Sequence, residues 1–188
     1  MKHEFLLRSV ARTGVRALAF VALLLFLVQA HADAGPKLRK ARVLKVHDGD
    51  TVTLRTDHGK HKVRLIGIDA PEIGQKPWGS RARQNLIRIM KQTRWAVSIE
   101  ADVVKEDKYG RPLVYLWTRD RKLINEQMLK DGYAVLFTIQ PNSKFADRFE
   151  KAQHQAREGK LGIWGADGLT ETPLEYKQAH PRDHGGVP

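Results

Sequence analysis

The sequence predicts a small protein of the α+β class, mainly β, in which five strands close into one barrel and three helices pack on it. Three observations favour this class. The 188 residues suffice for one ordinary domain. From Leu38 onward, apolar residues recur mostly with a period of two, which is the signal of half-buried strands. Apolar stripes with helical spacing are confined to three segments.

Turn residues and apolar spacing delimit the predicted elements. The dipeptide Asp48-Gly49 separates the first two strands, and a turn at 57–60 separates the second from the third. Ser80 is suited to cap the first helix, and Gly132 and Gly159 stop the second and third. The predicted strands are 39–47, 51–56, 62–68, 94–104 and 112–117, and the predicted helices are 80–91, 124–131 and 145–158.

The order of these elements, with the first helix between strands three and four, is the layout of an OB-fold barrel. We expect a short linker at 33–38 and the barrel domain at 39–165. After Trp164 the chain becomes rich in glycine, proline and histidine and loses its periodicity. We therefore expect a disordered tail at 166–188.

The N-terminal residues 1–32 are predicted to be a signal peptide rather than part of the fold. A basic region precedes an unbroken apolar run of 12 residues at 17–28, and Ala30-His31-Ala32 fits a small-x-small cleavage site. This run is shorter than the roughly 18 to 20 residues of a spanning helix, although an uncleaved signal could persist as a short anchor. Cleavage predicts a secreted or periplasmic protein, starting at Asp33, with no stable membrane association. We expect a monomer.

The charge balance favours an anionic partner. The chain has 33 lysines and arginines against 21 acidic residues, a formal net charge of +12. Such a field attracts nucleic acid and makes binding salt-dependent, and no base-reading helix is recognisable, so recognition should depend little on sequence. The absence of cysteine from the sequence excludes a disulfide scaffold, a thiolate zinc site and a cysteine nucleophile.

Two aspartates are predicted to meet at one end of the hairpin formed by the second and third strands. A hairpin closed around 57–60 places Asp50 opposite a residue between Gly67 and Asp69. Carboxylates so close raise each other's pKa unless a cation lies between them. Calcium suits two carboxylates plus a backbone carbonyl and waters. Asp48 either forms the turn only or supports these ligands.

Zinc is a weaker candidate, because His47 and His58 lack a zinc-type partner spacing.

Three further charged residues favour phosphoryl chemistry. Glu72 follows a proline that stiffens its backbone, which suits a general base for a water beside the metal. Arg64 and Arg111 offer guanidinium forks that match phosphate oxygens. Five residues of straight strand would put ~16 Å between Arg64 and Asp69, so we expect a bend at Gly67. Each charge alone would more often be a solvated surface residue, and their combination carries the prediction.

Three blocks carry a resemblance to a known family. The blocks are 46–52 (VHDGDTV), 63–72 (VRLIGIDAPE) and 107–111 (DKYGR). They resemble the signature blocks of the thermonuclease family, also called staphylococcal-nuclease-like, and the likeness spans about Arg39 to Trp164. The resemblance implies an OB-fold and calcium-dependent hydrolysis of DNA and RNA, with cleavage of the 5′ P–O bond and 3′-phosphate products.

The resemblance also implies a role for each residue of the site. One calcium ion would be held by the carboxylates of Asp50 and Asp69 and the backbone carbonyl of Ala70, with Asp48 close to the metal. The attacking water would be served by Glu72, and the phosphate would be clamped by Arg64 and Arg111.

The chain departs from the family pattern at two places. Ala70 stands where well-known members have threonine, so a hydroxyl is lost while the carbonyl ligand remains. Phe137 lies where they have tyrosines ahead of a Pro-Asn turn, and it could stack on a base without a phenolic hydrogen bond. Lys108 and Tyr109 of the third block are also predicted to contact the substrate.

The sequence therefore predicts an exported, calcium-dependent nuclease that hydrolyses DNA and RNA with little sequence specificity. The alternative is a non-catalytic OB-fold module that binds nucleic acid or another protein. Such a module would have no reason to keep all five charged residues named for the chemistry, which are Asp50, Arg64, Asp69, Glu72 and Arg111.

Overall fold

The computed structural model describes residues 38–181 and confirms the predicted fold class. The strands are β1 (Arg39–Val46), β2 (Thr51–Thr56), β3 (Gly59–Leu65), β4 (Gly67–Asp69), β5 (Ala96–Glu100), β6 (Leu113–Trp117) and β7 (Val135–Phe137). The helices are α1 (Trp78–Gln92), α2 (Ile124–Lys130), α3 (Ala146–Glu158) and α4 (Pro173–Ala179), with a 3-10 turn at Gly162–Trp164. Five strands form a closed barrel in the order β1-β2-β3-β6-β5, and β4 pairs with β7 in a separate sheet.

The core fills the barrel and the space between the barrel and α1. Val52 and Leu54 of β2 are fully buried, as is one face of α1 formed by Ala82, Leu86 and Met90. These three helical residues recur every four positions, which places them on one stripe. Removing the side chain of a leucine in such a core costs about 2–5 kcal/mol.

The β2–β3 register differs from the predicted one. Thr51 pairs with Arg64 and Thr56 with Gly59, so the connection has only two residues, Asp57 and His58. Asp50 lies opposite Leu65, whose N–H donates to the Asp50 carbonyl at 2.9 Å. The prediction that Asp50 faces 67–69 is therefore wrong, because two-residue hairpin turns match strand twist better than the four-residue turn assumed from the sequence.

The predicted bend at Gly67 is confirmed. β3 ends at Leu65 and β4 begins at Gly67, where φ is +79°. A Cβ at this position would lie 2.4 Å from the Phe149 ring, so both the backbone conformation and the packing require glycine. The bend takes the chain out of the barrel, and Asp69 ends up beside the barrel end of β3 rather than further along it.

Several short elements were not predicted. β4 and β7 have three residues each and pair with one another across a long stretch of chain. The predicted strand 94–104 is shortened to β5, because Arg94 and Trp95 both have positive φ. The helix count is four rather than three within residues 38–181.

The segment expected to be a disordered tail begins with ordered structure. α4 carries a capping box in which Thr172 and Glu175 satisfy each other's backbone N–H groups, and Pro173 occupies its first turn. The segment is also attached to the domain, because Trp78 donates its indole N–H to the Asp167 carbonyl at 3.1 Å. These local and tertiary bonds hold the segment in spite of its composition.

Some predictions concern residues that the structure does not describe. The signal peptide at 1–32, most of the linker at 33–38 and the last seven residues of the tail lie outside 38–181. Within the described range, no helix is long and apolar enough to cross a membrane.

Candidate active site

The structure brings three of the predicted residues into direct contact. Arg64 places Nη1 2.9 Å from Oδ2 of Asp50 and Nη2 2.8 Å from Oδ1 of Asp69. Both aspartates are buried, and the Arg64 side chain is only 12% exposed. A guanidinium is planar and delocalised, so it can bridge two carboxylates in this way at a smaller desolvation cost than an ammonium. Two acidic groups and one basic group thus share a nearly dry cluster.

The loop after β1 positions Asp50. The backbone N–H of Asp50 donates to Oδ1 of Asp48 at 3.0 Å, and this hydrogen bond fixes the turn. A Cβ on Gly49 would lie 2.5 Å from the Ala70 Cβ, so this glycine allows the turn to pack on the end of β4. The Ala70 N–H then donates to Oδ2 of Asp50 at 2.7 Å, and the Thr51 hydroxyl donates to Oδ1 at 2.9 Å. Asp50 is therefore held from three sides.

A residue that was not predicted completes the cluster. Lys177 of α4 lies with Nζ 2.6 Å from Oδ1 of Asp69 and 3.4 Å from Oε1 of Glu72. The sequence separates Lys177 from Asp69 by 108 positions and provides no local pattern that could have linked them. Only the attachment of α4 to the domain brings the lysine here.

Glu72 sits on the rigid corner that the sequence predicted. Its backbone N–H donates to Oε1 of Gln75 at 2.9 Å, and its carbonyl accepts from the Gln75 N–H at 2.9 Å. A Cβ on Gly79 would lie 2.0 Å from the Glu72 carbonyl oxygen, so α1 begins directly against this corner. Lys177 joins Glu72 to Asp69 electrostatically, and the predicted general base therefore belongs to the same cluster as the acidic pair.

The pKa values of two aspartates are raised. Burial, followed by the negative charge of Asp50, raises the pKa of Asp48 to about 6. Burial also raises the pKa of Asp69, although Arg64 and Lys177 act in the opposite direction. Both shifts mean that the site resists carrying its full negative charge without a strong counterion. A divalent cation would supply one.

The donor atoms fit a hard cation. The carboxylates of Asp50 and Asp69 converge on Arg64 and offer oxygen ligands, the kind that calcium prefers, and the Ala70 backbone adjoins them through its N–H. Among residues 38–181 no three His, Asp or Glu side chains are arranged as a metal centre. The predicted ligand set needs only two carboxylates, with a carbonyl and waters completing the shell.

Arg111 makes its contacts outside the acidic cluster, which consists of Asp50, Asp69 and Glu72 with Arg64 and Lys177. Its Nε donates to Oδ2 of Asp107 at 2.7 Å, and its guanidinium lies 5.6 Å from the centre of the Tyr109 ring. The neighbouring Pro112 carbonyl accepts the Arg64 N–H at 2.9 Å, since β3 and β6 run parallel. Arg64 lies in β3, and Arg111 lies in the turn just before β6, the strand next to β3.

Two of the three predicted substrate contacts lie on the turn that carries Arg111, and the third lies on β7. Phe137 pairs with Gly67 across the β4–β7 ladder, so its half-buried ring lies on the strand beside Asp69. Lys108 and Tyr109 are exposed on the turn that carries Arg111, with the Lys108 ammonium 5.1 Å from the Tyr109 ring centre. An exposed aromatic ring flanked by cations is suited to stacking on a base.

A cavity of about 320 Å³ lies elsewhere, between the end of α1 and the turn after β6. Its lining residues are Ile89, Gln92, Thr93, Arg94, Thr118, Arg119, Asp120 and Lys122, none of which belongs to the acidic cluster. Catalysis depends on placed charges rather than on volume, so the charged cluster is the stronger candidate for an active site.

The closed five-stranded barrel and the arginine that bridges two aspartates at its edge place this protein among OB-fold proteins with a charged site. The sequence profile described as "Staphylococcal nuclease homologue" matches residues 62–166. The chain belongs to the staphylococcal nuclease family, as the motif blocks predicted.

Named relatives agree with this assignment. The chain is 35% identical to the thermonuclease of Staphylococcus hyicus over 128 residues, which cover 65% of this chain and 74% of that protein. It is 33% identical to the thermonuclease of Staphylococcus intermedius over 165 residues, which cover 81% and 96% of the two chains. It is also 29% identical to endonuclease YncB of Bacillus subtilis over 144 residues, which cover 73% and 67%.

Proposed function

We propose that this protein is a nuclease that hydrolyses phosphodiester bonds of DNA and RNA with the help of one calcium ion. The observation that carries the proposal is the convergence of Asp50 and Asp69 on Arg64 in a nearly dry cluster at the barrel rim. The names of the relatives, thermonuclease and endonuclease, support the same activity. A binding module would not need to bury two carboxylates beside a guanidinium, which is costly unless the charges serve a purpose.

Asp50 and Asp69 by their carboxylates and Ala70 by its backbone carbonyl would hold the calcium ion, with Asp48 supporting them. When bound, the ion would neutralise charge on the phosphate and help to bind and orient the attacking water. The donor set of the site, which consists of oxygens, supports calcium over a metal that prefers nitrogen or sulfur. Burial of their charges is unfavourable and raises the pKa values of Asp48 and Asp69, and a nearby divalent cation would offset that cost.

The two arginines would bind the phosphate group. Arg64 lies inside the cluster, where its guanidinium would exchange a carboxylate oxygen for a phosphate oxygen. Arg111 would approach from the adjacent strand, and its partner Asp107 orients the guanidinium. Charge that builds up on the equatorial oxygens as the bond breaks would be matched by these planar donors.

Glu72 would act on the nucleophile. Its carboxylate would accept a proton from water, whose oxygen forms a bond to phosphorus while the bond to the 5′ oxygen breaks. The leaving oxygen takes up a proton from solvent and becomes a 5′-hydroxyl, Glu72 returns its proton to solvent, and the other product keeps a 3′-phosphate. The stiff corner around Gln75 supports this role, because a base or water-positioning group has to be held in place.

The substrate would be held mainly through its backbone. Residues 33–188 keep a formal charge of +9, which favours polyanions and predicts binding that weakens as salt rises. Phe137, Tyr109 and Lys108 would add stacking and charge around the rim without reading a base sequence. We further propose that the protein acts as a monomer outside the cytoplasm, in a periplasm or beyond the cell, after removal of residues 1–32.

The test is a cleavage assay on protein that begins at Asp33. We expect it to degrade DNA and RNA with calcium present and to stop when a chelator is added, leaving 3′-phosphate ends. Glu72→Gln should lower turnover at least about a hundredfold while substrate binding persists, the usual size for loss of a general base. Glu150→Gln, on an exposed position of α3, is the matched control and should cleave like the wild type.

The outcomes separate the two candidate functions. Full activity in chelator would contradict metal dependence. Binding of nucleic acid without any cleavage, under all metal conditions, would favour the non-catalytic binding module.

A further inference from the structure

Lys177 places an ammonium group inside the site that the proposed function assigns to a metal. Its Nζ lies 2.6 Å from Asp69 and 3.4 Å from Glu72, the proposed metal ligand and the proposed base. The profile that matches the family ends at residue 166, so this lysine lies on a segment beyond the matched region. The contact is therefore a feature that the family assignment does not account for.

The segment 167–177 runs along the loop that carries Glu72. Trp78 donates to the Asp167 carbonyl at 3.1 Å, and Gln75 donates through Nε2 to the Glu171 carbonyl at 3.2 Å. Tyr176 packs so closely on Gly74 that a Cβ there would lie 2.2 Å from the Tyr176 hydroxyl. Three contacts thus guide the chain along one edge of the site and deliver Lys177 to it.

The electrostatics of this arrangement resemble those of a cation site with an occupant. The Asp69 side chain is only 2% exposed, so its charge needs a nearby cation, and both Arg64 and Lys177 contact the same oxygen, Oδ1. The Lys177 side chain is 37% exposed. Solvent reaches the lysine and screens the pair, so the contact holds the ammonium only weakly. Lysine can therefore neutralise Asp69 and still be displaced by an ion of higher charge.

We propose that Lys177 is a built-in competitor for the cation position: it neutralises Asp69 and Glu72 in the metal-free protein and leaves when a divalent ion binds. This proposal rests on the proposed function, because it takes Asp69 as a metal ligand. Displacement of the ammonium would also end its contact with Glu72. The C-terminal segment would thereby set the calcium concentration at which the enzyme becomes active.

The first test measures calcium binding by titration calorimetry on wild type and three variants. Lys177→Met should bind calcium roughly three- to tenfold more tightly, the factor that corresponds to removing a weak competing ion pair. Lys177→Arg keeps the positive charge and should bind within about twofold of the wild type. Lys151→Met, at an exposed position of α3, is the matched control and should leave calcium affinity unchanged.

The second test follows the lysine itself. Acetylation rates of individual lysines, measured by mass spectrometry, should rise at least about threefold for Lys177 when calcium is added, because the ammonium leaves its carboxylate partners. Lys151 in the same sample should show no change. Circular dichroism and thermal unfolding would establish that the Lys177→Met variant is folded.

Each outcome has one meaning. Tighter binding by Lys177→Met together with calcium-dependent exposure of Lys177 supports the competition. If the folded Lys177→Met variant has unchanged calcium affinity, the competition is overturned. The proposed function stands in that case, provided that the wild type binds calcium and cleaves DNA. Weaker binding, or a fall in turnover at saturating calcium with no gain in affinity, overturns it in favour of a lysine that contacts the substrate. A wild type that neither binds calcium nor cleaves contradicts the proposed function, and the competition fails with it.

Discussion

Two charged regions of the rim, the acidic cluster and the turn at 107–111, hold their arginines in different ways. Arg64 is 12% exposed and bridges aspartates that come from two separate parts of the chain. Arg111 is 29% exposed and is held by Asp107, four residues earlier in its own turn. One arginine is part of the tertiary structure, and the other is prepared locally.

This difference separates stability from activity. Removing a charge from a buried network leaves its partners buried and unpaired, which is expensive, whereas removing a charge from an exposed turn costs little. Both arginines would nevertheless serve the same phosphate. Substitutions at the two positions should therefore resemble each other in catalysis and differ in folding.

The largest effects are expected from the two arginines. Arg64→Met should lower turnover by about 10³–10⁵, the range for loss of an arginine that binds transferring phosphate. It should also lower the free energy of unfolding by about 3 kcal/mol in calcium-free solution, because Asp50 and Asp69 stay buried without their shared partner. Arg111→Met should lower turnover by about 10²–10³ and change stability by less than about 1 kcal/mol.

Cleavage assays and urea denaturation in the presence of a chelator check both halves of this prediction. Arg148→Met is a control, since that arginine forms an exposed pair with Glu126 away from the predicted site. An equal loss of stability for Arg64→Met and Arg111→Met would show that the two regions do not differ as described. An active Arg111→Met variant would remove Arg111 from the mechanism.

Two glycines sharpen the comparison at the level of the backbone. Gly67, at the bend before Asp69, and Gly110, in the turn before Arg111, have similar positive φ values of +79° and +71°. A Cβ on Gly67 would lie 2.4 Å from the Phe149 ring, whereas a Cβ on Gly110 would have nothing within 4 Å. The same substitution therefore tests backbone strain alone at one site and strain plus crowding at the other.

Gly110→Ala should cost about 1 kcal/mol of unfolding free energy, the price of the left-handed conformation. Gly67→Ala should cost about 2–4 kcal/mol, because overpacking adds to the same strain, and it should weaken calcium binding by moving Asp69. Denaturation curves and calcium titration of the two variants provide the measurement. Equal costs would mean that the ring of Phe149 moves aside freely, so that the bend is not held by packing.

The sequence predicted the parts of the molecule that local patterns determine. Period-two spacing and turn dipeptides placed the barrel strands, and helical spacing placed α1, although its N-cap is Pro77 rather than Ser80. The need to join Arg64 with Asp69 predicted the bend at Gly67. The register of β2 and β3 could not be predicted, because it depends on whether the turn has two residues or four. In spite of this error, the predicted site residues Asp50, Arg64 and Asp69 do lie together, although their direct ion pairs were not predicted.

The remaining features depend on contacts between distant segments. The pairing of β4 with β7 joins three-residue strands that are too short to show a period. Lys177 reaches Asp69 only because bonds from Gln75 and Trp78 hold the chain before it. Composition predicted disorder in this region, and no rule that reads composition can detect a partner far away in the sequence.

The pKa shifts of Asp48, beside the acidic cluster, and of Asp107, in the turn, have opposite directions. Burial, then the charge of Asp50, raises the pKa of Asp48 to about 6 from an ordinary value of 3.8. Burial would raise the pKa of Asp107 too, but hydrogen bonds from Arg111 and Tyr109 together outweigh it and leave that pKa lowered. As the pH falls, Asp48 of the folded protein takes up a proton at a higher pH than an ordinary aspartate, and Asp107 does so at a lower pH.

The smallest expected effect follows from this difference, in calcium-free solution between pH 7 and pH 5. The folded state gains a proton at Asp48 in this window, while the unfolded state gains it only nearer pH 4, so acidification stabilises the wild type relative to Asp48→Asn. The stability difference between these two proteins should change by about 1 kcal/mol over the window. His47, whose pKa is lowered chiefly by burial, contributes with the opposite sign and largely cancels because both proteins contain it.

Asp107→Asn should differ from the wild type by a constant amount, since the lowered pKa of Asp107 affects stability only in more acidic solution. Urea denaturation of the three proteins at pH 7, 6 and 5 gives the measurement, and parallel profiles for wild type and Asp48→Asn would contradict the raised pKa.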